Sequence, residues 1–322
     1  MRARIIFFGT PNFALPSLEL LIRSGFTPIA VVTRAPKPVG RHAVLTSSAI
    51  ATTAKKLRLP LLEPASIKKP DFIEWFRAQK PDLAILVAYG KIIPEDVLAV
   101  PRLGFINVHP SLLPRHRGAS PIANTILSGD TITGVTIMQL DAEMDHGSIL
   151  SQQKISVPLR ATTGSFTPLL AKLGAKLLVE VLPKYLAGAL QAKTQNHGQA
   201  TYSKILKRSD GDIDWGRPAL ELDRFVRAYS PWPGAFTCLR GTRLKLLEVH
   251  PADQKATQPP GTIITRAGKL LVATGQNYVE LERVQLAGGR AQSGADFVNG
   301  HPELSGARVM LCQSPILPSH AG

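Results

Sequence analysis

Short apolar runs alternate with stretches of helical periodicity through the first half of the chain. The run Leu83–Tyr89 is apolar on both faces, as expected for a central strand that is covered on each side. This alternation predicts an α/β sheet. The predicted strands are Ile5–Gly9, Pro28–Thr33, Leu83–Tyr89, Gly104–Val108 and Val135–Leu140. The predicted helices are Ala14–Ser24, Ser47–Leu57, Asp71–Gln79, Pro121–Ser128 and Thr163–Leu190.

The pattern changes in the second half, after a polar stretch that predicts a linker at residues 191–208. A helix is predicted at Pro218–Tyr229, and short alternating runs follow at the spacing typical of a small β-barrel. These runs are Ala235–Arg240, Arg243–Val249, Gly261–Thr265, Lys269–Ala273 and Tyr278–Val284. A chain of 322 residues is long for one domain, so two domains are expected. The predicted limits are residues 1–190 for the first domain, 209–310 for the second and 311–322 for a tail.

The chain is strongly basic, with a formal net charge of +15. Residues 1–200 carry a net charge of +11 and residues 201–322 carry +4, so both predicted domains share the excess. Such a protein often binds a polyanion, although a soluble basic protein without that partner is the alternative.

Three features favour a cytoplasmic protein. No apolar stretch reaches the roughly 20 residues of a membrane helix, so we expect no membrane partner. The first residues do not resemble a signal peptide. The two cysteines, Cys238 and Cys312, lack the spacing of metal ligands, and we expect no disulfide framework, which fits a reducing compartment.

The richest chemical signal lies in residues 104–122, which read GFINVHPSLLPRHRGASPI. Asn107 and His109 are two residues apart at the end of an apolar run, so on a strand their side chains face the same side. Ligands of open α/β sheets bind at the carboxyl ends of strands. An amide and an imidazole placed there can donate hydrogen bonds to a developing oxyanion, as acyl transfer requires. The alternative is that His109 is an ordinary histidine without a role in chemistry.

Residues 140–148, LDAEMDHGS, place three acids in a glycine-containing loop after a strand. Asp141, Glu143 or Asp145 could orient His109 or take a proton from a nucleophile. Spacing alone favours a solvated acidic turn and does not choose among the three. His146 lies nearby, but no spacing typical of metal ligands supports a metal site, and we expect none.

Other motifs narrow the reaction class. The opening IIFFGTPNFA predicts strand, glycine turn and helix, yet it lacks the glycine patterns of NAD-binding and ATP-binding loops. Neither a GxSxG motif nor a nucleophilic cysteine context occurs. Residues 33–46 form a loop with proline, glycine and several basic residues, which could contact phosphates or could simply be solvated.

These motifs resemble those of the folate-dependent formyltransferases. The resemblance rests on NVHPSLLPRHRG and on an aspartate 36 residues after His109 in the frame LDAEMDHG. Five further segments are similar to the branch of the family that formylates methionyl-tRNA, although IDW and PWPGA are less exclusive because some multidomain folate enzymes carry a similar C-terminal domain. These segments are IIFFGTPNFA, the basic loop with Pro38, Gly40 and Arg41, VAYGKIIP, TYSKILKRSDGDIDW and RFVRAYSPWPGAF.

The resemblance implies a Rossmann-like formyl-transfer domain followed by an OB-like domain that helps to hold tRNA. It implies 10-formyltetrahydrofolate as donor and initiator methionyl-tRNA as acceptor, and we expect a monomer. Asn107 and His109 are expected to stabilise the oxyanion of a tetrahedral intermediate, with Asp145 assisting proton transfer. The implied folate pocket is lined by Val87, Ala88, Tyr89, Gly90, Ile92, Ser111, Leu112, Leu113, Pro114, Arg115, Asp141 and Met144.

The implied tRNA contacts are Phe13, Arg41 and Arg117. After Arg41 the chain continues Ala43-Val44-Leu45, where the family usually carries further lysines, and Gly288-Gly289-Arg290 is less basic than the family pattern. Both departures concern contact with tRNA and not the chemistry. The tail beyond about residue 308 matches no family pattern.

Three other functions stay open at this point. A formyltransferase for a small amine, such as a nucleotide-sugar, would share the three site residues without needing a basic two-domain surface. A folate hydrolase or folate-binding module would act without an acceptor. An OB-type RNA-binding protein with an inert first domain would not need an intact set of Asn107, His109 and Asp145.

Overall fold

The computed structural model describes residues 3–39 and 43–312, which divide into two compact units. The first unit runs up to Thr125 and also contains Thr131–Pro158 and Ser165–Ile205. The second contains Ile126–Asp130, Leu159–Gly164 and the described residues from Leu206 onward. The last change from the first unit to the second, between Ile205 and Leu206, therefore lies within the predicted linker. The domain limits stay a prediction.

The first unit contains short strands that alternate with helices. Its strands are β1 (Ile5–Gly9), β2 (Ala30–Val32), β3 (Lys37–Val39), β4 (Val44–Thr46), β5 (Leu61–Leu62), β6 (Leu83–Val87), β7 (Phe105–His109), β8 (Arg117–Gly118), β9 (Ile132–Gln139), β10 (Ile149–Ser156) and β11 (Tyr202–Ser203). The helices are α1 (Leu15–Arg23), α2 (Ala49–Lys56), α3 (Pro70–Ala78), α4 (Glu95–Leu98), α5 (Pro121–Leu127) and α6 (Thr163–Leu186).

Seven strands form one mixed sheet in the order β10-β9-β7-β6-β1-β2-β5. Neighbours from β7 to β5 are parallel, whereas β9 runs antiparallel to β7 and β10 antiparallel to β9. The predicted α/β class is confirmed. Because β1, β6 and β7 are parallel, their carboxyl ends meet at one edge, where Asn107 and His109 end β7.

An aromatic cluster supports this edge from within. The Phe8 ring lies edge-on to Phe76 and Tyr89 at 5.7 and 5.5 Å between ring centroids, and it contacts Phe72 and Phe105. All these rings are buried in one core cluster. Such edge-to-face pairs add to the hydrophobic gain from burial. The cluster therefore fixes β1, β6 and β7 relative to α3.

Some elements of the first unit were not predicted. The strand β10 (ILSQQKIS) is largely polar and half-exposed at the sheet edge, so its sequence lacks the apolar pattern of a core strand. The basic loop at residues 33–46 contains a short antiparallel pair, β3 with β4, rather than only irregular chain. Two-residue strands such as β8 and β11 carry too little pattern to predict.

The second unit is a small closed barrel. Its elements are α7 (Ala219–Ala228), β12 (Ala235–Leu239), β13 (Thr242–Ala252), β14 (Ile263–Arg266), β15 (Lys269–Ala273), β16 (Tyr278–Leu286), β17 (Ala291–Ser293), α8 (Gly294–Gly300) and β18 (Val309–Met310). The strand order is β14-β15-β16-β13-β12-β18, with β17 beside β16. The amide of Ile263 donates to the Ala307 carbonyl, and that of Val309 donates to the Gly261 carbonyl, so the two end strands join. The predicted barrel is confirmed.

The cysteines correct one expectation. The structure joins Cys238 and Cys312 in a disulfide, with Cα atoms 5.0 Å apart. Cys238 lies on β12 opposite Met310 of β18, so the barrel closure brings Cys312 within reach. A two-residue strand gave no sequence signal for this pairing.

No helix of the described chain has the length and apolar character needed to cross a membrane.

We expect Phe8→Ala to lower the free energy of unfolding by about 3–5 kcal/mol, because it empties a fully buried aromatic site. Trp75 stacks on Phe76 in the same cluster, so its fluorescence can follow denaturant unfolding. Ile132→Ala, at a mostly exposed position, is the control, with an expected change of about 1 kcal/mol or less. Equal effects of the two substitutions would contradict the described core.

The disulfide gives a second prediction. Air-oxidised protein, denatured without reductant, should not react with a thiol-alkylating reagent, whereas the reduced protein should react at both cysteines. Cys238→Ser should lower the stability of the oxidised protein by about 2–4 kcal/mol, since the bond closes a long loop. Finding two reactive thiols before reduction would refute the pairing.

Candidate active site

The site is centred on the last residues of β7. Asn107 and His109 are only 6% and 4% exposed, and they lie opposite Met138 and Thr136 of β9. Being two residues apart on one strand, they point to the same face. Among the described residues, none makes a hydrogen bond to the Asn107 carboxamide. Its N–H groups can therefore donate to a ligand.

The structure brings Asp145 beside His109. The Oδ1 atom of Asp145 is 3.5 Å from Nδ1 of His109, and Nε2 of His109 lies 3.0 Å from the backbone carbonyl oxygen of His116. Both ring nitrogens therefore face oxygen acceptors.

Asp145 reaches this position by an indirect path. Because β9 is antiparallel to β7, its last residue, Gln139, lies opposite Ile106 rather than His109. The loop that follows must run back along β7. Asp145 takes a left-handed backbone conformation there, with φ of 50°, which residues other than glycine adopt uncommonly.

One constraint comes from Gly118. Its amide donates to Oδ2 of Asp145 at 2.7 Å, which leaves Oδ1 turned toward His109. Gly118 has φ of 102°, and a Cβ there would lie 2.4 Å from the carbonyl oxygen of Ser203. Only glycine fits this position, so the motif RHRG supplies the amide that orients the carboxylate.

The implied folate residues of the β6 segment differ in exposure. Val87 ends β6 and is buried, whereas Ala88, Gly90 and Ile92 are exposed in the turn that follows. Tyr89 is buried against Phe8, and burial raises the pKa of its hydroxyl to about 12. Its backbone carbonyl accepts a hydrogen bond from Thr10. The turn backbone, rather than the Tyr89 ring, is therefore presented at the edge.

The loop from Ser111 to Arg115 is held by side chains that the sequence did not single out. Thr136 donates to the Ser111 carbonyl at 2.6 Å and accepts from the Leu113 amide, while Gln152 donates to the Leu113 carbonyl at 2.8 Å. Ser111 and Leu113 are buried, Leu112 and Pro114 are half-buried and Arg115 is exposed. The loop is thus stiffened by hydrogen bonds as well as by its prolines.

Asp141 and Glu143 of the 140–148 loop share His146 as a partner. Nδ1 of His146 is 2.6 Å from Oδ2 of Asp141, and its Nε2 is 3.9 Å from Oε1 of Glu143. Glu143 and Met144 are exposed. Within the described ranges, no cluster of His, Cys, Asp and Glu has the arrangement of a metal site.

Two of the three residues expected to contact tRNA are buried. Arg117 is 2% exposed, and its guanidinium donates to the side chains of Gln195, His197 and Tyr202. The expected contact of Arg117 with tRNA stays a prediction, and its burial argues against it. The cause is the pairing of β8 with β11, which lays residues 195–203 over it. Phe13 is also buried, and Arg41 lies outside the described residues.

Sequence reasoning missed two buried groups next to the site. His116 has φ of 58°, is buried, and its Nδ1 lies 2.9 Å from the Asn124 amide nitrogen. Gln195, taken as part of a polar linker, is 4% exposed and hydrogen-bonded to the Asp145 loop. No local pattern around Gln195 distinguishes it from the exposed polar residues beside it.

Comparison with known proteins covers nearly the whole chain. The formyl transferase family model matches residues 2–182, and the model of the formyl transferase C-terminal domain matches residues 205–302. A methionyl-tRNA formyltransferase of Chloroflexus aggregans is 45% identical over 299 residues, covering 92% of this chain and 97% of the relative. Another, of Methylococcus capsulatus, is 42% identical over 306 residues, covering 95% and 99%.

Two solved structures are similar in fold. WlaRD, a sugar 3N-formyl transferase crystallised in the presence of dTDP and 5-N-formyl-THF, has a TM-score of 0.65 and 16% identity, covering 87% of this chain and 97% of its own. HypX from Aquifex aeolicus in complex with tetrahydrofolic acid has a TM-score of 0.61 and 17% identity, covering 92% and 47%. At these identities the likeness concerns the fold.

Proposed function

The chain belongs to the formyl transferase family, and from that premise we propose that it moves a formyl group from 10-formyltetrahydrofolate to the α-amino group of initiator methionyl-tRNA. The acceptor is inferred from the curated relatives, which are named methionyl-tRNA formyltransferases and match almost end to end. The donor is inferred from the family and from two folate-containing structures of this fold. The monomeric state and the cytoplasmic location stay predictions.

The observation that carries the chemistry is the contact between Asp145 and His109 next to Asn107. These residues combine an amide donor, an imidazole and a carboxylate at the edge where ligands of such sheets bind. That set is sufficient for acyl transfer without a covalent enzyme intermediate. The neutral amine of methionine, whose pKa as an α-amine is about 7.7–8.0, attacks the formyl carbon.

The proposed step forms a bond between the amine nitrogen and the formyl carbon and breaks the bond to the folate nitrogen. The intermediate oxyanion accepts hydrogen bonds from Asn107 and His109. One such donor typically contributes about 2.7–4 kcal/mol. Asp145, directly or through water, moves the proton from the attacking amine to the leaving folate nitrogen.

His109 must release one contact for this role. Its Nε2 faces the neutral carbonyl of His116, which competes with the oxyanion for the same proton. Hydrogen bonds to a charged oxygen are roughly twice as strong as those to a neutral one. Exchanging the carbonyl for the oxyanion as acceptor is therefore favourable once the intermediate forms. The uncharged substrate gains no such advantage. The donor thus stabilises the transition state more than the bound substrate, which lowers the barrier.

The direct test is incubation with 10-formyltetrahydrofolate and methionyl-tRNA, scoring formyl-methionine. An amino-sugar nucleotide serves as the alternative acceptor, and uncharged tRNA, which lacks the methionyl α-amine, is the negative control. Formylation of the sugar in place of the tRNA, or folate turnover without any acceptor, would overturn the proposal.

Asn107→Ala and Asp145→Ala should each lower kcat by about 100- to 1,000-fold, because each removes a group used in the transition state. The Kd for methionyl-tRNA should change less than about threefold. Glu143→Ala, in the same loop but exposed, is the matched control and should keep near-normal kcat. Near-normal turnover in either variant would refute the catalytic role proposed for that residue.

Arg41 remains the proposed tRNA contact, since it lies in sequence between β3 and β4, where Val44 and Leu45 are exposed. Arg41→Ala should raise KM for methionyl-tRNA and leave kcat and the folate KM unchanged. A plot of log kcat/KM against log salt concentration should also become less steep by about 0.7–0.9, as expected for one lost phosphate contact. Arg23→Ala, exposed at the end of α1, is the charge-matched control. Identical slopes for the two variants would remove Arg41 from the tRNA surface.

A further inference from the structure

The segment at residues 193–203 is held at both ends against the first unit. Lys193 and Ile149 exchange backbone hydrogen bonds of 2.7 and 2.8 Å, and Tyr202 and Ser203 of β11 pair with β8. The polar composition of this segment predicted a linker, yet Gln195 between the two anchors is almost fully buried. A buried carboxamide requires partners, and its partners identify its role.

All the hydrogen-bonding atoms of the Gln195 carboxamide are used. The nitrogen Nε2 donates to the backbone carbonyls of Asp145 and Gly147 at 2.9 and 2.7 Å. The oxygen Oε1 accepts from Nη2 and Nε of Arg117 at 2.8 and 3.2 Å. A guanidinium has only donors and a carbonyl only accepts, so the reversed amide orientation would face four mismatches.

Arg117 is itself fixed, which makes it an anchor rather than a mobile charge. Its Nη2 also donates to Nδ1 of His197 at 2.8 Å, and its guanidinium lies 5.9 Å from the ring centre of Tyr202. The ring of His197 stacks on that of His146 at 4.0 Å, the residue directly after Asp145. Gln195 therefore holds the Asp145 loop by hydrogen bonds, and His197 contacts the same loop by ring stacking.

We propose that Gln195 is a positioning residue for formyl transfer, acting through Asp145, and that Arg117 orients it. Asp145 occupies a left-handed backbone conformation, which the two carbonyl contacts of Gln195 hold from outside the loop. With the backbone held there, the Gly118 amide fixes Oδ2, and Oδ1 faces His109. This inference rests on the proposed function, because it assigns Gln195 to the same reaction.

A purely structural alternative is that Gln195 only satisfies the buried charge of Arg117. Two substitutions separate the alternatives. Gln195→Glu keeps an acceptor for Arg117 but replaces the donor with oxygen that repels the two loop carbonyls. Gln195→Met keeps the approximate shape and removes both functions. The positioning role predicts that both variants lose kcat, whereas the structural alternative predicts that Glu restores it.

The expected loss of kcat is about 10- to 100-fold in both variants, the effect of displacing a reacting group by about 1 Å. KM for both substrates should change less than about threefold. Gln191→Leu, at an exposed position two residues before this segment, is the control and should retain wild-type kcat. Wild-type kcat in a folded Gln195→Glu enzyme would overturn the inference even if Gln195→Met fails to fold.

A double-mutant cycle with Asp145→Asn gives a readout that loss of stability does not mimic. If Gln195 acts through Asp145, Gln195→Glu should lower kcat in the wild-type background and by less than about twofold in the Asp145→Asn background. Equal losses in both backgrounds would show that Gln195 does not act through Asp145. Normal turnover by Asp145→Asn alone would instead refute the proposed catalytic site, so the two failures are distinguishable.

Discussion

The proposed chemistry depends on how one carboxylate is held. Asp145 follows a strand that runs antiparallel to β7, so sheet pairing alone carries the chain away from His109. Its approach to His109 requires a loop that doubles back, and a left-handed residue within it. The Gly118 amide and the Gln195 carboxamide supply the contacts that this conformation needs. Two segments distant in sequence therefore define the position of one side chain.

Much of the fold follows from sequence pattern, because the central strands and long helices carry strong hydrophobic periodicity. The strand β1 and the barrel strand β15 have the predicted limits, and the pair Asn107 and His109 needs only the two-residue period of a strand. The polar edge strand β10 and the closure of the barrel through β18 depend on partners far away in the chain. Local pattern contains no information on such partners.

The choice among the acids shows the same limit at the site. Asp141, Glu143 and Asp145 are equivalent in spacing, and only the family resemblance selected Asp145. The structure distinguishes them physically, since Asp141 pairs with His146 while Asp145 faces His109. Arg117 shows the reverse case. The family resemblance implied contact with tRNA, but Arg117 is buried and its guanidinium donates to Gln195 inside the protein, which argues against that role. Charge in a sequence predicts a surface role only when no distant segment covers it.

The two oxygens of Asp145 have separate tasks in the proposed reaction. Oδ2 accepts from a backbone amide at 2.7 Å, a good hydrogen bond that fixes orientation. Oδ1 lies 3.5 Å from His109, too far for a strong bond, so it keeps lone pairs for a proton from the amine. The imidazole lies beside this carboxylate, where an N–H group can donate a hydrogen bond to the oxyanion. Because the Gly118 amide holds Oδ2, the carboxylate keeps its position while Oδ1 acts as a base.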